Sequence, residues 1–364
     1  MISNIMTSEI KIFLIIPTLK QGGAERVISE LANAWVDWKN VSVSVVTLAK
    51  SEDFYTLKSG IKVHRLGFEN KGFVKKFFSV LLTFISFRKL LTYERPTYVL
   101  SFMERYNSFV LLASFKLDMR VYVSDRSNPL KNMSFLNESL RRFTYRYASG
   151  IISQTQLAKD RLFIKTANSN IRVIPNPLRN VLRYPEYKRD NIVVTVGRMV
   201  PEKGQKHLIE AFALLNRKDW RLLILGDGKL KEELTQLADS LGILGLVEMP
   251  GAVCDVDHWL AKASIFAFPS ISEGFPNALV EAMAAGLPCV SFDCNAGPKD
   301  IIRNNENGIL ISEGDVLSFS HALKSLIDDE RLRIRMGNAA LDIRNDLDLV
   351  KISKSYMDFM SGET

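Results

Sequence analysis

Short apolar runs alternate with longer amphipathic stretches along nearly the whole chain, and the alternation restarts half-way. In the first half KIFLIIP (11–17), VSVSVVTL (41–48), KVHRL (62–66), TYVLSF (97–102), RVYVS (120–124) and GIIS (150–153) read as strands, with helical periodicity near 23–37, 73–93, 106–116, 134–147 and 155–166. In the second half strands are expected near 191–196, 221–225, 246–249, 264–268, 288–292 and 308–311, and helices near 204–216, 229–241, 256–262, 277–286 and 316–328. Strand and helix in regular succession predict two doubly wound parallel sheets, because parallel neighbours need a crossover and a helix supplies it. In IRVIPNPL, Pro175 and Pro177 interrupt any regular element, and the polar, basic stretch that follows reads as a hinge. The expected organisation is a first domain over 1–180, a second over 181–345, and a last amphipathic segment, 346–364, whose period fits a return to the first domain or completion of the second. Ligands of such sheets lie beyond the C-terminal strand ends. The loops there are where chemistry is expected.

A chain of 364 residues has room for two such cores. Cys254, Cys289 and Cys294 have neither metal-ligand spacing nor an even disulfide framework, and His64, His207, His258 and His321 are scattered, so no metal and no cofactor are expected. No cleavable signal peptide precedes the first strand, which predicts a cytoplasmic chain. The formal charge of +8 hides an asymmetry: residues 1–180 carry 27 Lys+Arg against 13 Asp+Glu, and residues 181–364 carry 21 against 27. A basic half beside an acidic half predicts an anionic partner for the first half only. Nucleic acid is disfavoured, since no helix-turn-helix, zinc-finger or RNP-type pattern is present.

An anionic membrane surface fits better. KGFVKKFFSVLLTFISFRKLLTYER (71–95) frames an apolar core with Lys75 and Lys76 on one side and Arg88 and Lys89 on the other. The core is too short to span, so the segment is expected either to pack on the first domain's sheet or to lie at the inner face of the cell membrane. The basic-aromatic run RRFTYRYA, with Arg141 and Arg142, supports the second.

Five loops carry candidate chemistry. TVGRMVPEKGQ places Arg198 and Lys203 between a strand and a helix, where a forked guanidinium and a mobile ammonium suit a diphosphate. SISEGFPNALVEAMAAGLPCV holds Glu273 and Glu281 around a Gly274-Phe275-Pro276-Asn277 turn that opens a helix, a setting for hydroxyls and phosphate together. LGDGKL carries Gly226, and CNAGPKD carries Gly297 and Pro298, each after a strand. LKQGGAER sets Gly22 and Gly23 at a strand-to-helix turn without a full dinucleotide fingerprint, which disfavours NAD. Asp255-Val256-Asp257 has the form of a metal-binding Asp-x-Asp, yet it precedes a short helix and reads better as a cap with a second acid in the first turn.

The two glutamates closing on E-A-M-A-x-G-x-P, together with G-R-x-x-x-x-K-G, resemble the donor-site signature of glycosyltransferase family four, the retaining GT-B enzymes. The resemblance implies two Rossmann-like domains facing across a cleft. It implies that Arg198 and Lys203 hold the donor diphosphate, that Glu273 and the turn from Gly274 to Asn277 lie at the donor sugar, and that Glu281 accepts from the ribose hydroxyls. It puts Gly226 near the nucleobase, Gly297 and Pro298 over sugar and phosphates, and Gly22 and Gly23 near diphosphate and acceptor. On the acceptor side Glu104, Asp125 and Arg126 are candidates, the last two standing where many relatives have Ser-Glu-His or Ser-Glu-Arg, so no histidine role carries over. The activity implied is transfer of a hexose or N-acetylhexosamine from a nucleotide diphosphate sugar, UDP before GDP, to a lipid-linked glycan of cell-surface polysaccharide assembly. A nucleotide-sugar 2-epimerase and a non-catalytic membrane scaffold are the alternatives.

Overall fold

The computed structural model describes residues 9–67, 73–131, 133–182, 184 and 186–363. It divides into two compact units, one of residues 1–177 with 349–364, the other of residues 178–348.

The first unit is built on β1 (Ile10–Ile16), β2 (Val41–Thr47), β3 (Lys62–Arg65), β4 (Tyr98–Phe102), β5 (Arg120–Ser124), β6 (Gly150–Ser153) and β7 (Ile171–Val173), in the order β3-β2-β1-β4-β5-β6-β7. Every pairing is parallel. The central strands are apolar on both faces: Ile12, Leu14, Ile15, Ile16, Val99 and Leu100 are fully buried, as strands covered on both sides must be. β7 departs from the expectation that the prolines exclude regular structure. Ile171, Arg172 and Val173 complete their pairing with β6 before Pro175, so a three-residue edge strand needs no amide that proline lacks.

The helix Phe73–Glu94 shows why its sequence reads two ways. Ser79, Thr83, Phe87 and Leu91 recur every four residues and are buried, while Phe78, Val80, Leu81, Leu82 and Ile85 are exposed. One stripe packs on the unit and the other apolar faces stay in solvent. Among the described residues no helix is long and apolar enough to cross a membrane.

The helix Leu349–Ser361 belongs to the first unit. Its Ser353 carbonyl accepts from the Trp35 indole at 3.2 Å, its Tyr356 hydroxyl accepts from Arg126 at 2.7 Å, and its Met360 carbonyl accepts from Tyr122 at 2.9 Å.

The second unit carries β8 (Ile192–Val196), β9 (Arg221–Leu225), β10 (Val247–Gly251), β11 (Ile265–Phe268), β12 (Cys289–Phe292) and β13 (Ile309–Ile311), ordered β10-β9-β8-β11-β12-β13 and again parallel. The strand order reverses at β8, between β9 and β11, which makes the loops after these strands the switch-point loops.

Candidate active site

In the second unit the loops after β8, β9, β11 and β12 close on one another through glycines. Gly226 has φ +137°, and a Cβ there would lie 2.1 Å from the Gly197 carbonyl oxygen, so the loops after β8 and β9 touch backbone to backbone. A Cβ on Gly297, at φ +105°, would meet Pro276 Cδ at 2.4 Å, which brings the buried Gly297-Pro298 turn onto the Gly274-Phe275-Pro276 turn. Asn277 then opens the helix Asn277–Ala284.

Lys203 Nζ lies 2.6 Å from Glu273 Oε1, joining the two motifs that are 70 residues apart in sequence. Glu273 is buried and Lys203 partly so, whereas the Arg198 guanidinium is exposed and has no partner among the described residues. One cation is thus committed to a carboxylate and the other is open to an anion.

Glu281 is held by a residue that no sequence motif singles out. Arg179 stands 3.1 Å from Glu281 and forks onto Asp257 at 2.5 and 2.9 Å. Asp257 also accepts from the Leu182 amide, while Asp255 caps its helix by accepting from the His258 amide at 3.0 Å. Both acids of Asp-x-Asp are therefore occupied by partners within the chain. Nothing in the spacing of Arg179 points to Glu281, because the link is made only by the fold.

In the first unit Gly22 precedes the helix Gly23–Trp35, bracketed by the Tyr55 hydroxyl, which accepts from the Gly22 amide and donates to its carbonyl at 2.9 Å. Glu25, two residues after the glycine pair, folds back so closely that a Cβ on Gly22 would strike its carboxylate, and burial raises its pKa. An acid in the first turn of that helix is the signal in the sequence that could have found it.

Glu104 and Asp125 line one cavity of about 230 Å³ beyond β4 and β5. Glu104 accepts from Ser127, and it follows Met103, a non-glycine residue at φ +78°. That backbone costs roughly 1–3 kcal/mol, and such residues cluster at active sites and ligand clamps. Asp125 accepts from Asn107 at 3.1 Å, from the Tyr145 hydroxyl, and from Arg141 at 3.0 Å. Burial pushes its carboxyl up to about 6 against the opposing pull of Arg141.

Three basic residues depart from their expected places. Arg126 does not line this cavity: it is stacked 3.6 Å over the Phe102 ring, bonded to Asn176 and Tyr356, and spent on seating the last helix. Arg141, expected at a lipid surface, is buried between Asp125 and Glu138. Arg88 caps the C-terminal end of the helix Glu104–Ser114, donating to the Ala113 and Phe115 carbonyls at 2.7 and 3.0 Å. Lys89 and Arg142 are exposed, and the side chains of Lys75 and Lys76 lie outside the described residues.

Residues 21–179 match the family model described as Glycosyltransferase Family 4, and residues 182–342 match that described as Glycosyl transferases group 1. The chain is 26% identical, over 96% of its length and 98% of the relative's, to a Campylobacter jejuni enzyme named GalNAc-alpha-(1->4)-GalNAc-alpha-(1->3)-diNAcBac-PP-undecaprenol alpha-1,4-N-acetyl-D-galactosaminyltransferase. It is 26% identical, over 93% of its length and 96% of the relative's, to the amylovoran biosynthesis glycosyltransferase AmsD of Erwinia amylovora. Among solved structures, Anabaena HepE in complex with UDP shares the fold with a TM-score of 0.82 at 19% identity, covering 97% of this chain and 100% of that one.

Proposed function

The chain belongs to the family-four, group 1 glycosyltransferases, and from that premise we propose that its second unit binds a nucleotide diphosphate sugar, UDP-linked, whose hexose or N-acetylhexosamine passes with retention to a lipid-linked glycan. The observation that carries this reading is the convergence of Arg198, Lys203 and Glu273 at neighbouring strand ends. A departing diphosphate needs fixed positive charge near its oxygens, and the open Arg198 supplies it from the same loop that carries Lys203. Glu273, already bonded to Lys203, is the carboxylate at the sugar, and Glu281, steadied by Arg179, is the acceptor for a diol such as ribose. The Campylobacter relative's undecaprenol-linked acceptor supports a lipid-linked acceptor here. Neither a 2-epimerase nor a scaffold has an observation in its favour.

The first unit also supports docking on an anionic membrane from the cytoplasmic side. Phe115, Tyr147 and Phe143 form an exposed chain of rings at 5.4 and 5.9 Å, with Lys116 5.8 Å over Phe115 and Arg146 4.5 and 4.8 Å over the other two. Through Arg88 this cluster adjoins the exposed apolar faces of the helix Phe73–Glu94. Aromatic rings with interleaved cations suit the headgroup level.

The test is a panel of UDP- and GDP-sugars with lipid-linked acceptors, read by mass spectrometry and NMR. An α-configured donor is expected to give an α-linked product. Arg198→Ala and Lys203→Ala are each expected to lower kcat/KM for donor by roughly 10- to 150-fold, the equivalent of about 1.5–3 kcal/mol per charge-assisted hydrogen bond. Wild-type turnover in the folded double variant would sink the assignment.

A further inference from the structure

The cavity beyond β4 and β5 has a charge pattern that its partners within the chain do not consume. Of the basic residues lining it, Arg141 is matched by Asp125 and Glu138, and Lys165 by Glu138 at 2.8 Å. Arg105, Lys131 and Arg161 also line it, all exposed and none with a side-chain partner among the described residues. Against them stands Glu104, bonded to Ser127. Three open cations against one carboxylate leave an excess of two positive charges around one cavity, which a doubly esterified diphosphate would neutralise. The cavity, about 230 Å³, is below the roughly 300–1,000 Å³ of a site that encloses a whole drug-sized ligand, so it takes one part of a larger molecule.

The helices that supply these residues show what the rest of that molecule is. The helix Phe135–Tyr145 gives Asn137 and Arg141 to the cavity and exposes Phe135, Leu136, Leu140 and Phe143 elsewhere on its surface. The helix Gln156–Lys165 gives Arg161 and Lys165 and exposes Phe163 and Ile164. A cationic pocket bordered by apolar helix faces fits an anion carried on a hydrocarbon chain better than free phosphate.

We propose that this cavity, through Arg105, Lys131 and Arg161, binds the diphosphate of a lipid-diphosphate-linked acceptor, whose hydrocarbon runs onto the exposed faces of the helices Phe135–Tyr145 and Gln156–Lys165. The inference rests on the transferase reading for the acceptor's identity and on the cavity alone for the diphosphate. Glu104, which follows Met103 at φ +78°, lines the cavity with Asp125, and its carboxylate suits a hydroxyl of the sugar next to the diphosphate.

Two measurements on the full chain decide it. Inorganic diphosphate is titrated by calorimetry with UDP saturating the donor site, for wild type and for Arg105→Ala/Lys131→Ala/Arg161→Ala. The variant is expected to bind about tenfold or more weakly, as loss of charge-assisted contacts requires; equal affinity overturns the proposal. Acceptor preference is then measured as the ratio of kcat/KM for one glycan on a lipid diphosphate and on a neutral alkyl chain. A fall of about tenfold or more in that ratio supports the site. An unchanged ratio, or loss of phosphatidylglycerol-vesicle binding without loss of the ratio, assigns the cations to lipid headgroups and overturns it. If no donor is used by the wild type, the transferase reading fails while the diphosphate titration still decides whether the cavity binds its anion. Since these three positions are exposed, folding is expected to persist, and Arg161→Gln alone serves if the triple variant does not fold.

Discussion

Asp125 binds its proton more tightly in the folded chain than an ordinary aspartate does, with its carboxyl raised from 3.8 to about 6 by burial. A folded-state pKa above the unfolded one stabilises the fold fully below the lower value, and that contribution is lost as pH rises through the upper one. The swing is on the order of 3 kcal/mol. Asp125→Asn stays neutral throughout, so its stability relative to wild type is expected to rise from pH 4 to pH 7 and then level off. Urea unfolding of both proteins across that range checks this, and a flat difference would contradict it. The same residue marks what the sequence discloses at this scale. Arg198, Lys203 and Glu273 stand out because each follows a predicted strand in a recurring order. Arg179 and Tyr145 do not, since their partners, Glu281 at one and Asp125 at the other, are met only after folding. Arg126 and Arg141 mislead for the same reason: a charged residue near a motif looks accessible until its partners are known.

Among the elements, the strands are legible because parallel sheets bury both faces and leave unbroken apolar runs. β7 is not, since three residues beside two prolines carry too little pattern. The loops depend on positions where a side chain cannot be added. At Gly226 the obstructing atom is the Gly197 carbonyl oxygen, which cannot rotate away, so the loops after β8 and β9 must part. Gly226→Ala is expected to lower the melting temperature of the second unit by several degrees, and to raise the donor KM by about tenfold through displacement of Arg198. Gly242, at φ +69° with nothing within 4 Å of an added Cβ, is the control: Gly242→Ala carries only the backbone cost of about 1–2 kcal/mol and leaves donor KM at the wild-type value. Matching KM values for Gly226→Ala and wild type would separate the loop geometry from donor binding.

For the whole molecule, the charge asymmetry of the two halves is plain in the sequence, but its location on a surface is not. Lys116 and Arg146 lie over the rings of the aromatic cluster, and Lys89 and Arg142, next to Arg88 and Phe143 in sequence, are exposed as well. Each contributes on the order of 1 kcal/mol at an anionic surface, screened by salt. The chain is expected to float with phosphatidylglycerol vesicles at low salt, less at high salt, and less again after Arg142→Glu/Arg146→Glu. Equal flotation with neutral vesicles would contradict an electrostatic contribution. The periodicity of the last segment does not say which unit it joins; Trp35, Tyr122 and Arg126, more than two hundred positions upstream, decide that. This arrangement sets an order of assembly. A ribosome delivers residues 178–348 as one uninterrupted stretch, so the second unit has every residue it needs while synthesis is still under way. The first unit, begun earlier, has its Trp35 indole and Arg126 guanidinium waiting for Ser353 and Tyr356, and the half that is made first is the half that is finished last.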